Sequence, residues 1–292
     1  MIQLTMVLLL FGSLSSLLTQ DDRSLAKLLM RHYEPGKRLT YLMKGENDGS
    51  TYEVRLTAVV KKDADGRFFE EYAFSDKISN GKPRSLSMSS QNFRQAVTLE
   101  GGTRPFSPPD LSQVPELIGP VLDLVTFYAD LVLAMHEGSL RKVGDHFYFP
   151  SPMTGSWADG NHVLIGQDAV DFEIALTAVD KPNGECTVLV KHVPPKEPKI
   201  QIPVAWMRKA ISDTPNNFVQ VRRKGDKYVA SVGKETFDVE LKISLVDGKI
   251  LSATMTNPVE KIARECTDAA LTDCGTPVHS PTFRRIKMSL IE

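Results

Sequence analysis

Neither sign of charge prevails in this chain. Its 35 Lys and Arg against 36 Asp and Glu leave a formal net charge of -1, and the isoelectric point is near 6.6. That balance gives no electrostatic case for nucleic acid as a partner. The short basic pieces Arg222-Arg223-Lys224 and Arg284-Arg285 lie in or at the start of strand-like runs, where they read as solvated strand faces or edge charges. Motifs of catalysis are missing too. The six histidines, His32, His136, His146, His162, His192 and His279, form no H-E-x-x-H or other close ligand spacing, so no metal site is expected. There is no G-x-S-x-G elbow, no Walker A loop and no G-x-G-x-x-G, so no cofactor is expected either. No Asn-x-Ser/Thr sequon occurs, which suits a bacterial envelope protein better than a eukaryotic secreted glycoprotein.

Cysteine is scarce, with Cys186, Cys266 and Cys274 alone. Cys266 and Cys274 would close a short loop before the final strand, and an oxidising compartment favours that disulfide. Cys186 shares a strand face with Val188 and Val190 and reads as a small buried hydrophobe. Long apolar runs are scarce as well. Met6–Phe11 is a compact apolar core, followed by the small-residue stretch Gly12–Ser16 and the polar start Asp21-Asp22-Arg23. Residues 1–20 therefore read as a signal peptide, although no Lys or Arg precedes the apolar core. Beyond it no stretch is expected to span a bilayer. The expectation is an exported, periplasmic or extracellular protein that is not integral to the membrane.

What the chain does have is alternation. Phe237, Val239, Leu241, Ile243 and Leu245 fall on one side of a run, and Asp238, Glu240, Lys242 and Ser244 on the other, as in a strand with one dry face. Its neighbours Phe218–Lys224, Lys227–Val232 and Lys249–Thr256 are separated by Gly225-Asp226, Gly233-Lys234 and Asp247-Gly248, which read as hairpin turns. An earlier meander runs through Arg38–Lys44, Thr51–Val60 and Gly66–Phe74, with Phe93–Leu99 a further strand. His146–Phe149, His162–Ile165, Ala169–Val179, Cys186–Val193 and Phe283–Ile291 complete the set. On the 169–179 run, Val170, Phe172, Ile174, Leu176 and Ala178 share a face.

Two segments read as helical. Asp22–Tyr33 carries a stripe of Leu25, Ala26, Leu28, Leu29, His32 and Tyr33, stopped by Glu34-Pro35-Gly36. Leu111–Met135 follows a breaker-rich stretch at 101–109. Pro120 suits a first turn, and the run Val121–Met135 is apolar nearly all round, relieved only by Asp123, Thr126 and Asp130. The fold class that follows is α+β, mainly antiparallel β: a large curved meander sheet, half-barrel-like, covered by an N-terminal helix and a central apolar helix. Residues 21–292 form one β-rich domain with a helical insert at about 111–137.

For function, the sequence supports a concavity better than a catalytic site. Leu56, Phe127, Phe172, Leu176 and Leu241 would line the space under the central helix, and Trp206 would stand at its rim. The competing reading is that these side chains simply pack against Leu124, Phe127, Tyr128 and Leu131. An arrangement of Ser156, His162 and Asp159 near His146 can be drawn, but a trio this close in sequence rarely converges.

This order of signal, helix, long meander, helical insert, second meander and final strand resembles the LolA-like superfamily of outer-membrane lipoprotein carriers. The resemblance implies a half-open barrel whose concave face, covered by helices, holds acyl chains; the Cys266–Cys274 loop departs from that pattern. Three functions follow as expectations. The first is an exported non-enzymatic carrier of a lipid or other apolar small molecule. The second is an envelope interaction module with a self-filled core, docking a protein partner through an edge strand or the Pro194–Pro198 loop. The third and remotest is an extracellular hydrolase.

Overall fold

The structure is a computed structural model that describes residues 29–99, 111–135, 140–151, 154–158 and 162–292. The strands among them are β1 Arg38–Asn47, β2 Ser50–Lys62, β3 Phe68–Ser79, β4 Lys82–Pro83, β5 Gln95–Val97, β6 His146–Phe149, β7 Gly155–Trp157 and β8 Val163–Asp168. They continue with β9 Asp171–Asp180, β10 Glu185–Val193, β11 Phe218–Lys224, β12 Lys227–Glu235, β13 Phe237–Ser244, β14 Ile250–Cys266, β15 Val278–His279 and β16 Thr282–Leu290. The helices are α1 Met88–Asn92 and α2 Ile118–Met135. All sixteen strands join one unclosed sheet.

Local chemistry sets the meanders. In β1 the alternate residues Leu39, Tyr41 and Met43 are buried, as are Val54, Leu56, Ala58 and Val60 in β2. Asn47 pairs with Ser50. Asp48 and Gly49 between them both take positive φ, 48° and 80°. A two-residue turn of that kind matches the right-handed twist of the strands it joins.

The sheet is creased. β14 is seventeen residues long, and two partners lie along it in succession. Its first part pairs with β13, from Ile250 to Thr256, and its second with β12, from Val259 to Cys266. Only Thr236 separates β12 from β13, and its amide donates to the Pro258 carbonyl (3.3 Å). β8 and β9 are likewise separated only by Ala169 and Val170. A large part thus runs β6-β9-β10-β13-β14-β16-β1-β2-β3, and a small part runs β7-β8-β11-β12-β14. Each part has its own apolar core.

Helix α2 lies in the concavity of the large part. Val121, Leu124, Phe127 and Leu131 have no accessible surface and join one cluster with the dry faces of the strands. Its outward stripe is also apolar: Ile118, Leu122 and Val132 are exposed. By length and composition alone, Pro115–Met135 is long and apolar enough to cross a membrane, contrary to the expectation that no such stretch follows the N-terminus. Most of it is buried inside the protein, as the core helix of a β-rich domain would be.

Several expectations are corrected. The N-terminal helix expected at Asp22–Tyr33 lies outside the described residues up to 28, and Leu29–Tyr33 is a turn and bend followed by irregular chain. This strap is committed elsewhere: the His32 amide donates to Asp247 O (2.9 Å), and the Arg31 guanidinium grips Glu70. Leu111–Gln113 and Pro115–Leu117 form 3-10 turns, and α2 starts at Ile118, two residues ahead of Pro120. Gly233-Lys234 is not a turn but lies within β12. A Cβ on Gly233 would sit 1.9 Å from Glu260 O, so glycine here permits close approach of two strands. β14 does not end at Thr256, because Pro258 sits at the crease where pairing changes partner and its missing amide is not needed. Ser244, expected on the wet face, is buried and accepts from the Val246 and Asp247 amides in the turn. A bulge opposite Thr187 and Val188 turns Ala178 outward.

Gly248 closes the β13–β14 turn with φ 67°, and a Cβ there would lie 2.4 Å from Met30 O. Gly248→Ala should cost about 2 kcal/mol or more, from the left-handed backbone and the displaced strap together. A lower urea midpoint, with faster exchange of the His32 amide, is the expected readout. An unchanged midpoint would mean that the strap is not seated on this turn.

Candidate functional site

Five of the six cavity candidates do meet around α2. Leu56, Phe127, Leu176 and Leu241 fall in the large core, and Phe172 packs against it. The first four have zero accessible surface. A side chain with none touches neither solvent nor any void wide enough for a water molecule, so these four fill the concavity rather than line it. Trp206 is not at their rim. It belongs to the small core with Val219, Val221 and Cys266, beneath the Arg264 guanidinium at 4.7 Å from its ring centroid.

Three polar contacts, unread in the sequence, pin the helix to the sheet. Near its start Asp123 accepts from the Tyr52 hydroxyl (2.6 Å) and from Arg284. In its middle the Tyr128 hydroxyl donates to Glu70 Oε2, which also accepts from Tyr72 (2.9 Å). The other oxygen, Glu70 Oε1, takes Arg31 Nε (2.9 Å) and Nη2 (2.7 Å) from the strap. Glu70 has no accessible surface, and such a carboxylate persists inside only when fully paired. Burial pushes the Tyr72 and Tyr128 hydroxyls well above their usual range, so both stay protonated as donors. The third contact is Asp130 Oδ1 to His192 Nε2, 2.8 Å. The sequence carried one signal for this set, the two carboxylates Asp123 and Asp130 in an otherwise apolar helix.

His192 marks the crease. Its ring lies between Phe172 and Phe237, with centroids at 4.8 and 4.9 Å. Around it the crease gathers polar side chains because the ladder breaks there and frees backbone groups. Asn217 donates to Ala169 O (2.9 Å) and Glu235 O (3.0 Å) and accepts from the Glu235 amide (2.8 Å). Asn257 donates to Thr236 O (2.9 Å) and Glu235 Oε1 (3.2 Å). Burial, then the charge of Asp168, lifts the Glu235 carboxyl to about 7. Burial, the largest single influence, would lower His192, but the surrounding carboxylates, Asp130 first and then Asp168 and Glu235, together raise the imidazole above its ordinary value. Among the described residues no group of three or more His, Cys, Asp or Glu is placed to hold a metal ion.

The small part carries an open groove of about 420 Å³, within the range of small-ligand sites. Its lining includes Pro198, Ile200, Ile202, Arg208, Asp213 and Pro215, backed by Met207, which has no accessible surface. Buried Asn216, also in the lining, ties the segment together: its amide donates to Met207 O (3.0 Å) and Lys209 O (2.9 Å).

The remaining candidates divide simply. Cys266 and Cys274 form a disulfide. Cys186 is buried, and burial raises its thiol to about 11, which leaves it a poor nucleophile. Ser156, His146 and His162 are exposed, and Asp159 lies outside the described residues. No protein-family model matches the chain, and no curated protein matches it.

The crease should make stability fall as pH rises. A carboxyl held near 7 in the folded chain and at an ordinary 4.5 when unfolded keeps its stabilising effect below pH 4.5 and loses it as pH climbs through 7. His192, also raised when folded, acts in the same direction. Urea unfolding between pH 5 and 8 should lose about 3 kcal/mol on account of Glu235. Glu235→Gln should flatten most of that slope; an equal slope in the variant would show that another group titrates.

Proposed function

We propose that this is an exported, non-enzymatic binding protein whose binding surface is the open groove of the small part, the helix-covered interior serving as scaffold. The observation that carries this reading is the contrast between the two places. Leu56, Phe127, Leu176 and Leu241 have no accessible surface, whereas the groove is open, apolar and of ligand size. Export is supported by the Cys266–Cys274 disulfide, which an oxidising compartment would maintain, and by the apolar stretch Met6–Phe11.

A second reading keeps the resemblance to lipoprotein carriers. There α2 swings outward and the concavity takes an acyl chain. It is favoured by the uncharged outward stripe Ile118, Leu122 and Val132, an apolar helix face left in water.

Titration with the neutral fluorophore N-phenyl-1-naphthylamine separates the two. The groove reading expects saturable binding that Ile202→Asp weakens at least tenfold at an unchanged melting temperature. Binding that ignores Ile202→Asp but is lost in Leu122→Lys would favour the moving helix. No binding at all would sink both.

A further inference from the structure

One side of the groove is a stretch that belongs to no ladder of the sheet. Pro198–Ile202 is neither helix, turn nor bend, and its side chains alternate: Pro198, Ile200 and Ile202 half-buried, Lys199 and Gln201 exposed. In an extended chain the backbone groups of successive residues point to opposite edges. Those of residues 199 and 201 are turned to the body of the protein, where Thr154 Oγ1 donates to Lys199 O (2.8 Å) and the Gln201 amide donates to Gln167 Oε1 (2.6 Å). The amides and carbonyls of Ile200 and Ile202 therefore face the other way. Among the described residues they have no hydrogen-bond partner. Pro198 and Pro203, which lack amides, bracket the edge and limit how far pairing can run.

We infer that the groove takes an extended peptide segment of another protein, added as a strand to the Lys199–Ile202 edge with its apolar side chains against Ile200, Ile202 and Pro215. The inference rests on the groove being the binding surface and names what fills it. The backbone of Ile200 and Ile202 offers two donors and two acceptors in the register of a β ladder, which an acyl chain would leave unsatisfied and a peptide would complete. The groove's two charged residues, Arg208 and Asp213, are of opposite sign, and neither has an ion-pair partner among the described residues. Their charges cancel, so the lining selects neither a phosphate headgroup nor a fatty-acid carboxylate, and a peptide of neutral amides fits it. Four residues of edge span about 13 Å, so four or five peptide residues would pair.

The test uses the full chain and a capped peptide of alternating threonine and valine, six residues long. Main-chain pairing tolerates many sequences, so a generic β-former is a fair probe. Two further peptides carry N-methyl groups on one or the other alternate set of amides. The expected result is that the Ile200 and Ile202 amides exchange at least tenfold more slowly with the peptide present, while the Gln201 amide is unchanged. One N-methyl pattern should weaken binding at least tenfold, and the other should not. Equal binding of both patterns, or binding without protection of Ile200 and Ile202, would overturn strand addition. If the groove still takes N-phenyl-1-naphthylamine in an Ile202-dependent way but no peptide binds, the inference fails and the groove reading survives. If the fluorophore also fails to bind, both fall together.

Discussion

An eighteen-residue helix with only four charged or hydroxyl-bearing residues in an apolar surface cannot be left in water, and the large part of the sheet curves around it. Burial of Val121, Leu124, Phe127 and Leu131 supplies the driving force, but burial is non-directional and would tolerate the helix in several settings. Direction comes from the polar contacts. Asp123 meets Tyr52 and Arg284, Tyr128 meets Glu70, and Asp130 meets His192. Each would leave a buried polar group without a partner if the helix slid or turned, so the three together select one register. The strap carrying Arg31 is held by the same logic, since without its guanidinium Glu70 would be a buried, half-satisfied charge.

The crease is the second constraint. A sheet that must wrap a helix at one end and close over a small core at the other has to change curvature, and this one does so along a line through Ala169, Thr236 and Pro258. The ladder pairs fewer backbone groups there, and Asn217 and Asn257 supply what is missing. That line is also where carboxylates and an imidazole collect, since it is the place inside the sheet where polar side chains have partners. The groove follows from the same arrangement. The chain must travel from the end of β10 to the start of β11, and the Pro-rich connection it uses lies over the small core, leaving one edge of its extended stretch unpaired.

Much of this was legible in the sequence. The alternation in Phe237–Leu245, the meander runs Arg38–Lys44 and Thr51–Val60, and the turn at Gly225-Asp226 correspond to strands and a turn in the structure. The apolar run Val121–Met135 is a buried helix, and Cys266 and Cys274 are bonded. What was not legible depends on contacts far apart in the chain. Gly233 looked like a turn because glycine usually marks one; here it admits the backbone of β14. Leu29–Tyr33 has a helical stripe, but its bonding capacity is spent on Glu70 and Asp247, 39 and 216 residues away from Arg31. Apolar side chains such as Leu56 and Leu176 look alike whether they line a cavity or fill it, because alternation reports which face is dry and not whether the dry space is full. The groove had a weaker signal still, a proline-punctuated connector with isoleucine at alternate positions.

The claim on which the account turns is that, among the described residues, the side chains beside α2 fill the concavity and the groove offers open apolar space. Methyl NMR of the folded protein under xenon pressure tests it directly, since xenon enters dry apolar voids without needing a known ligand. The account predicts xenon-induced shifts at the methyls of Ile200 and Ile202 and none at Leu56, Leu176 or Leu241. Shifts at the latter three would mean a hollow interior, and the carrier reading would take its place.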